Sequence, residues 1–255
     1  MSMLEVKGLS KHFGGLAAIN DLTISVEKDE IRGIIGPNGA GKTTLFNVIS
    51  GVYKPTKGTI ELNGEVISGL PPSEIAKRGA VRTFQRDAVF HKFDVLTNVV
   101  VARQLHANRG LFATVFSKAG ATKNADTERA LEILEFVGLV DLRNEVAANL
   151  AHGFQRILGV AIALATEPKI LMLDEPVAGM NNTETAHMTN VIGKLHDDWG
   201  TTIMLVEHDM KTVMGLCKKI TVVDFGEKLA EGVPDDIVDD ERVIEAYLGA
   251  EDVVA

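Results

Sequence analysis

Two clusters of residues in this sequence have the types and spacing to do chemistry on a phosphate ester. Gly36-Pro37-Asn38-Gly39-Ala40-Gly41-Lys42-Thr43, running on into Thr44, fits G-x-x-x-x-G-K-[ST]. Its glycines let backbone N–H groups turn inward around phosphate oxygens, and a helix starting near Lys42 adds its positive dipole end. Lys42 would reach the β- and γ-phosphates, and Thr43 would offer its hydroxyl to Mg²⁺. The second cluster is Ile170-Leu171-Met172-Leu173-Asp174-Glu175, an apolar run ending in two carboxylates. Asp174 is suited to the Mg²⁺ shell and Glu175 to orienting and polarising the attacking water. Triphosphate binding with metal-assisted hydrolysis is the chemistry expected.

The elements around these clusters read as a framework for them. Ile31 to Ile35 is a β-branched strand, the glycine run breaks it, and Leu45 to Ile49 continues with helical character. Upstream, Leu22, Ile24 and Val26 alternate with polar neighbours and Gly14-Gly15 marks a turn, so Leu4 to Val26 reads as a small antiparallel unit. Thr59 to Leu62 with Asn63-Gly64 is a further strand and turn. From about Asp87 to Ala165 the strand signals thin out and helical periodicity takes over, clearest in Glu128 to Val137. Within that stretch Gln104 to Ala125 shows no clear period and reads as an extended loop bearing a short amphipathic turn. Ile170 to Leu173, Thr202 to Val206 and Ile220 to Val223 are buried-strand candidates, and strands alternating with helices predict a parallel α/β sheet. The expected organisation is one domain over 1–255, with the β unit and α/β core in 1–86 and 166–255 and a helical subdomain inserted at 87–165.

Composition narrows the partners. The 255 residues carry 26 Lys plus Arg against 35 Asp plus Glu, a formal net charge of −9. That leaves no cationic surface for a nucleic acid. It does not forbid a nucleotide, because exposed charges beyond the ~8 Å screening length count for little and local donors decide. The most apolar stretch, Ile157 to Ala165, is half of the ~18 residues a membrane span needs. Glu5 and Lys7 fall where a secretion signal would be apolar, so the expected compartment is the cytosol. Cys217, the only cysteine, excludes an internal disulfide and a cysteine-based zinc site, and reads as a small buried apolar residue.

The two phosphate clusters fit kinases, GTPases, helicases and transport ATPases alike. No N-K-x-D guanine-reading motif occurs, and Asp224-Phe225-Gly226 lacks the H-R-D partner of a kinase and reads as a turn. Order and spacing decide: Phe13, the loop at Gly36 to Thr44, Gln85 in Thr-Phe-Gln, Leu150-Ala151-His152-Gly153-Phe154-Gln155, the strand to Glu175, then His208 in Val-Glu-His-Asp. This succession resembles the ATPase domain of ABC proteins over nearly the whole chain. The resemblance implies an α/β P-loop NTPase core with an N-terminal antiparallel β unit and an inserted helical subdomain. It also implies that Phe13 stacks on adenine, that Gln85 lies near Mg²⁺ and senses the membrane partner, and that His208 contacts the γ-phosphate. By the same resemblance two subunits sandwich two ATP molecules, each between one P-loop and the opposite signature, here Leu150 to Gln155.

Phe-Gly-Gly-Leu-Ala-Ala at 13–18, Val-Arg-Thr-Phe-Gln at 81–85, Ala-Gly-Met-Asn at 178–181, Glu-His-Asp-Met-Lys at 207–211 and Ala-Tyr-Leu-Gly at 246–249 are similar to the LivG-type ATPases of branched-chain amino acid importers. Such a subunit implies a second ATPase subunit, two transmembrane permeases, a substrate-binding protein acting through them, and a peripheral place on the cytoplasmic face of the cell membrane. The signature departs from the family pattern. Ala151 stands for its serine and Phe154 for a glutamine, while Gly153 and Gln155 remain. That departure favours a heterodimer with one weakened site over a homodimer. The rival readings are a lipid or lipopolysaccharide exporter ATPase, a non-transport ABC ATPase of DNA repair or translation, and a weakly catalytic regulatory subunit. Long coiled coils or tandem ATPase domains, usual in the non-transport group, are not found in this sequence.

Overall fold

The computed structural model describes residues 2–83, 89–106 and 119–251. They divide into two compact units, one of Met1–Arg82, Lys169–Glu175 and Ile192–Ala255, the other of Thr83–Pro168 and Pro176–Val191.

The first unit holds two sheets. Strands β1 (Ser2–Phe13) and β2 (Leu16–Glu27) pair antiparallel across the Gly14-Gly15 turn. With β4 (Lys57–Leu62) and β5 (Glu65–Val66) they form a sheet in the order β2-β1-β4-β5. In β2 the predicted alternation is met: Leu22, Ile24 and Val26 are buried and the residues between them exposed. The second sheet has the order β10-β9-β3-β8-β7-β6, from β3 (Ile31–Ile35), β6 (Ala80–Arg82), β7 (Ile170–Asp174), β8 (Thr202–Val206), β9 (Lys219–Asp224) and β10 (Glu227–Gly232). It is parallel except for the β9–β10 hairpin, whose turn is Phe225-Gly226. Every residue of β3, β7 and β8 is buried, because a parallel sheet is covered on both faces; β7 and β8 read as near-continuous apolar runs, while β3 carries Arg32, paired with Glu30 at 2.8 Å.

Helix α1 (Lys42–Ile49) joins the two sheets through one core. Phe46, Leu45 and Ile49 pack with Leu4, Ile24 and Ile60 of the antiparallel sheet and with Ile34, Met172 and Met204 of the parallel one. Truncating Phe46 to alanine would cost about 3–5 kcal/mol, so the loop ahead of α1 rests on a rigid base. Helices α2 (Pro72–Arg78), α7 (Met210–Leu216), α8 (Pro234–Val238) and α9 (Glu241–Glu251) complete this unit, together with the last turns of α6 (Asn182–Asp197).

The second unit is helical: α3 (Val95–His106), α4 (Ala119–Phe136), α5 (His152–Leu164) and the first turns of α6. Val95, Val99, Ile133, Leu134, Ile157 and Leu158 are all buried. Asp94 caps α3 by accepting from the Thr97 N–H at 2.6 Å, and the buried Asn98 amide donates to the Asp94 and Phe90 carbonyls. Residues 104–106 and 119–125, expected to be loop, are helical; residues 107–118 lie outside the described ones. The start of α4 is Ala-Gly-Ala-Thr-Lys-Asn-Ala-Asp, with no apolar stripe for a periodicity argument to detect.

Candidate active site

The glycine loop connects the C-terminal end of β3 to α1, as its pattern predicts. Gly36 (φ +149°) lies so close to the sheet that a Cβ would stand 1.9 Å from the Val223 carbonyl oxygen; at Gly41 (φ +106°) it would stand 2.6 Å from that of Ala18. Only glycine fits either position. Gly41 is the N-cap of α1, with no side-chain cap and no acidic residue in the first turn. The leading N–H groups over Lys42, Thr43 and Thr44 are thus left to an anionic ligand. Thr43 is exposed, and Asn38 and Gly39 are exposed at the loop tip, while Pro37 and Ala40 are buried.

Lys42 is buried, and its Nζ donates to the Gly36 carbonyl at 2.6 Å and the Pro37 carbonyl at 2.8 Å. Burial lowers its pKa from the usual lysine value, and the negative charges of Glu175 and Asp174 oppose that shift. Both carboxylates therefore lie in the field of the loop lysine, as the joint reading of the two clusters requires.

Asp174 and Glu175 leave the end of β7 in different directions. Asp174 is fully buried; its Oδ2 accepts from Arg82 Nη2 at 2.5 Å, and its Oδ1 is buried without a hydrogen-bond partner. An orphaned anionic oxygen costs free energy unless a cation takes it. Asp174 Oδ1 with the exposed Thr43 hydroxyl is a donor set that suits Mg²⁺, which usually takes one or two protein oxygens plus phosphate and water. Among the described residues no group of three or more His, Cys, Asp or Glu could hold a metal, so the site has no all-protein cage. Glu175 has φ +48°, which turns its side chain off the strand direction, while its N–H donates to the Val206 carbonyl at 2.9 Å. Its Oε1 is 3.0 Å from His208 Nε2. His208 is held from behind: the buried Glu207 carboxylate accepts from the His208 N–H at 3.0 Å, and Asp209 caps α7 by accepting from the Thr212 N–H at 2.7 Å.

Phe13, at the end of β1, is 42% exposed and meets Tyr53 edge-on with ring centroids 5.2 Å apart; Lys11 Nζ lies 4.8 Å above the Phe13 ring. In the second unit Ala151 is the N-cap of α5, extended (φ −58°, ψ 151°), exposed and without a side-chain cap. Gly153 is buried, Phe154 is 39% exposed, and Gln155 Nε2 donates to the Leu150 carbonyl at 3.0 Å. Gln85 lies outside the described residues.

The first unit thus brings together the loop, Asp174, Glu175 and His208, and the second carries Ala151, Gly153 and Gln155. Three side chains at the first group, Arg82, Asn47 and Tyr247, and Tyr53 beside Phe13, have no role in the sequence reading. Burial raises the Tyr247 pKa, opposed by a hydrogen bond with the Gly36 backbone, so α9 reaches the glycine loop. Arg82 and Tyr247 both fall inside the quoted family stretches, the one signal that could have marked them.

Residues 19–178 match the ABC transporter family, and residues 227–253 the branched-chain amino acid ATP-binding cassette transporter family. The chain belongs to the ABC transporter family. It is an ABC ATPase, a nucleotide-binding cassette that hydrolyses ATP for transport. It is 46% identical to the high-affinity branched-chain amino acid transport ATP-binding protein LivG of Salmonella typhimurium, over 97% of this chain and 98% of that one. It is 45% identical to the corresponding protein BraF of Pseudomonas aeruginosa over the same shares. Among solved structures, the ADP conformation of MJ1267, an ATP-binding cassette of an ABC transporter, superposes with a TM-score of 0.85 at 30% identity, covering 98% of this ABC ATPase and 99% of that chain. No helix among the described residues of this cassette is long and apolar enough to cross a membrane.

Proposed function

We propose that this chain is the ATP-hydrolysing subunit of an importer for branched-chain amino acids. The observation that carries the reading is a likeness that extends past the cassette core into residues 227–253, the part matching the branched-chain amino acid subgroup. In this reading Phe13, backed by Tyr53, offers its exposed face to adenine. The loop Gly36 to Thr44 wraps the phosphates, and Lys42 Nζ exchanges the Gly36 and Pro37 carbonyls for β- and γ-phosphate oxygens. Thr43 and Asp174 would hold Mg²⁺, with Gln85 assigned near it by the family resemblance; when bound, the ion would supply neutralisation of charge on the phosphoryl oxygens. Glu175 orients the attacking water and takes its proton on the carboxylate, while His208 holds that carboxylate through Nε2 and faces the γ-phosphate.

Ala151, Gly153 and Gln155 serve the nucleotide of a second ATPase subunit, with a heterodimer favoured by the altered signature. The helical subdomain at 87–165 and Gln85 carry closure to two permeases, and a substrate-binding protein delivers the amino acid to them. The subunit works at the cytoplasmic face of the cell membrane, peripherally, through the permeases. The experiment is co-purification of the complex and its reconstitution in vesicles. Leucine-loaded binding protein raises the ATPase rate and drives leucine uptake; a complex that ignores leucine, isoleucine and valine and responds to a lipid overturns the assignment.

A further inference from the structure

We infer that Arg82 is a positioning residue that aims Asp174 at the Mg²⁺ of the nucleotide. The inference rests on the reading of Asp174 as a Mg²⁺ ligand. Arg82 ends β6, and its side chain is 9% exposed against 0% for that of Asp174. One arm of its guanidinium, Nη2, donates to Asp174 Oδ2 at 2.5 Å; the other, Nη1, donates to Asn47 Oδ1 on α1 at 2.6 Å. The guanidinium carbon stands 5.7 Å from the Phe46 ring centroid, so the group is braced against the helix that follows the glycine loop. Because the guanidinium is planar and its arms are fixed relative to each other, holding both partners fixes the rotation of the carboxylate. Oδ2 is engaged, and Oδ1, buried and without a partner, is the oxygen left for the ion.

Mg²⁺ demands near-ideal octahedral geometry, so a ligand free to rotate binds it poorly. Without the fork, a cation within reach of the Asp174 field is Lys42, whose charge Asp174 already supports. A carboxylate turned toward Lys42 would withdraw both itself from the ion and the ammonium from the phosphates. An ion pair that merely tied β6 to β7 would not need the second arm on Asn47.

Arg82→Lys tests this, because it keeps the charge and loses the fork. Binding of a fluorescent ATP analogue is titrated with Mg²⁺ and repeated in EDTA, with thermal melts of the nucleotide-free protein as the folding check. Loss of an outer-shell partner costs about ten- to a hundredfold in metal affinity, so half-saturation moves to about tenfold higher Mg²⁺ or more, while affinity in EDTA is unchanged. Asn47→Ala, which leaves the Arg82–Asp174 pair in place, shifts the Mg²⁺ titration in the same direction by a smaller factor and serves if Arg82→Lys does not fold. If both variants titrate like wild type while Asp174→Asn does not, Arg82 is only a structural tie. If Asp174→Asn itself titrates like wild type, the ligand assignment falls first and this inference with it.

Discussion

Ala151→Ser has two consequences that can be read separately. Ala151 is already in N-cap conformation ahead of α5, with ψ 151° and no side-chain acceptor over the first turn. A serine oxygen there accepts from the N–H of Gly153 or Phe154, worth about 1 kcal/mol of helix stability. That energy slows amide exchange in the first turn of α5 about fivefold where exchange proceeds by local opening. While the oxygen accepts from the helix, the hydroxyl hydrogen is free to donate outward to a phosphate, so the cap and the signature contact do not compete. The second contact is charge-assisted, about 1.5–3 kcal/mol, or ten- to a hundredfold in rate if it strengthens in the transition state. The assay uses the proposed heterodimer with Glu175→Gln in this chain and the partner's own glutamate intact, so that only the site this signature is proposed to complete turns over. Slower exchange with an unchanged residual ATPase rate would refute the idea that Ala151 weakens the partner's site. Unchanged exchange would refute the capping geometry itself.

Other perturbations follow from the same residues. Glu175→Gln keeps the shape and an acceptor for His208 Nε2 but removes the proposed base; turnover falls about 10²- to 10⁴-fold while ATP stays bound and the dimer stays closed, read by single-turnover hydrolysis and gel filtration in ATP. Wild-type turnover would exclude Glu175 as the base. Lys42→Ala removes the proposed charge-assisted phosphate contact, and ATP affinity drops about ten- to a hundredfold in an equilibrium binding titration; unchanged affinity contradicts the loop assignment. Burial pushes the Cys217 thiol up to about 12 from an ordinary 9.0. In that window the unfolded chain has lost a proton the folded one keeps, so stability is complete below pH 9 and falls as pH rises, by about 1.4 kcal/mol per unit. Denaturant midpoints at pH 8 and pH 10.5 therefore separate more for wild type than for Cys217→Ala, and equal separation refutes the burial argument.

Strands β7 and β8 were legible because burial on both faces favours an apolar run: Ile170 to Leu173 and Thr202 to Val206 carry no polar interruption beyond Thr202. The glycine loop was legible because its pattern reports steric demands, at Gly36 and Gly41 above all. Strand β10 escaped because Glu-Lys-Leu-Ala-Glu-Gly is an edge strand with one buried residue, Ala230, and no alternation to detect. Arg82 escaped for a related reason: β6 is three residues long, and a charge on so short a strand reads as exposed when its partner is unknown.

Pairings between distant residues depend on register, which no local pattern carries. Strands β7 and β8 are parallel neighbours with Asp174 opposite Val206. Glu175, one residue past its strand, and His208, two past its own, therefore emerge side by side, and the left-handed backbone at Glu175 brings Oε1 to 3.0 Å from Nε2. In the same way β6 sets Arg82 opposite Met172, and Met172 shares a strand face with Asp174 two residues on, which puts the guanidinium diagonally across from the carboxylate. A slip of one residue in either pairing would send these side chains to the opposite face of the sheet. The apolar cores on both faces of β7 and β8 oppose such a slip, because each strand would have to repack five buried residues at once. The hydrophobic packing of the sheet is thus what holds Glu175, His208, Asp174 and Arg82 in one arrangement.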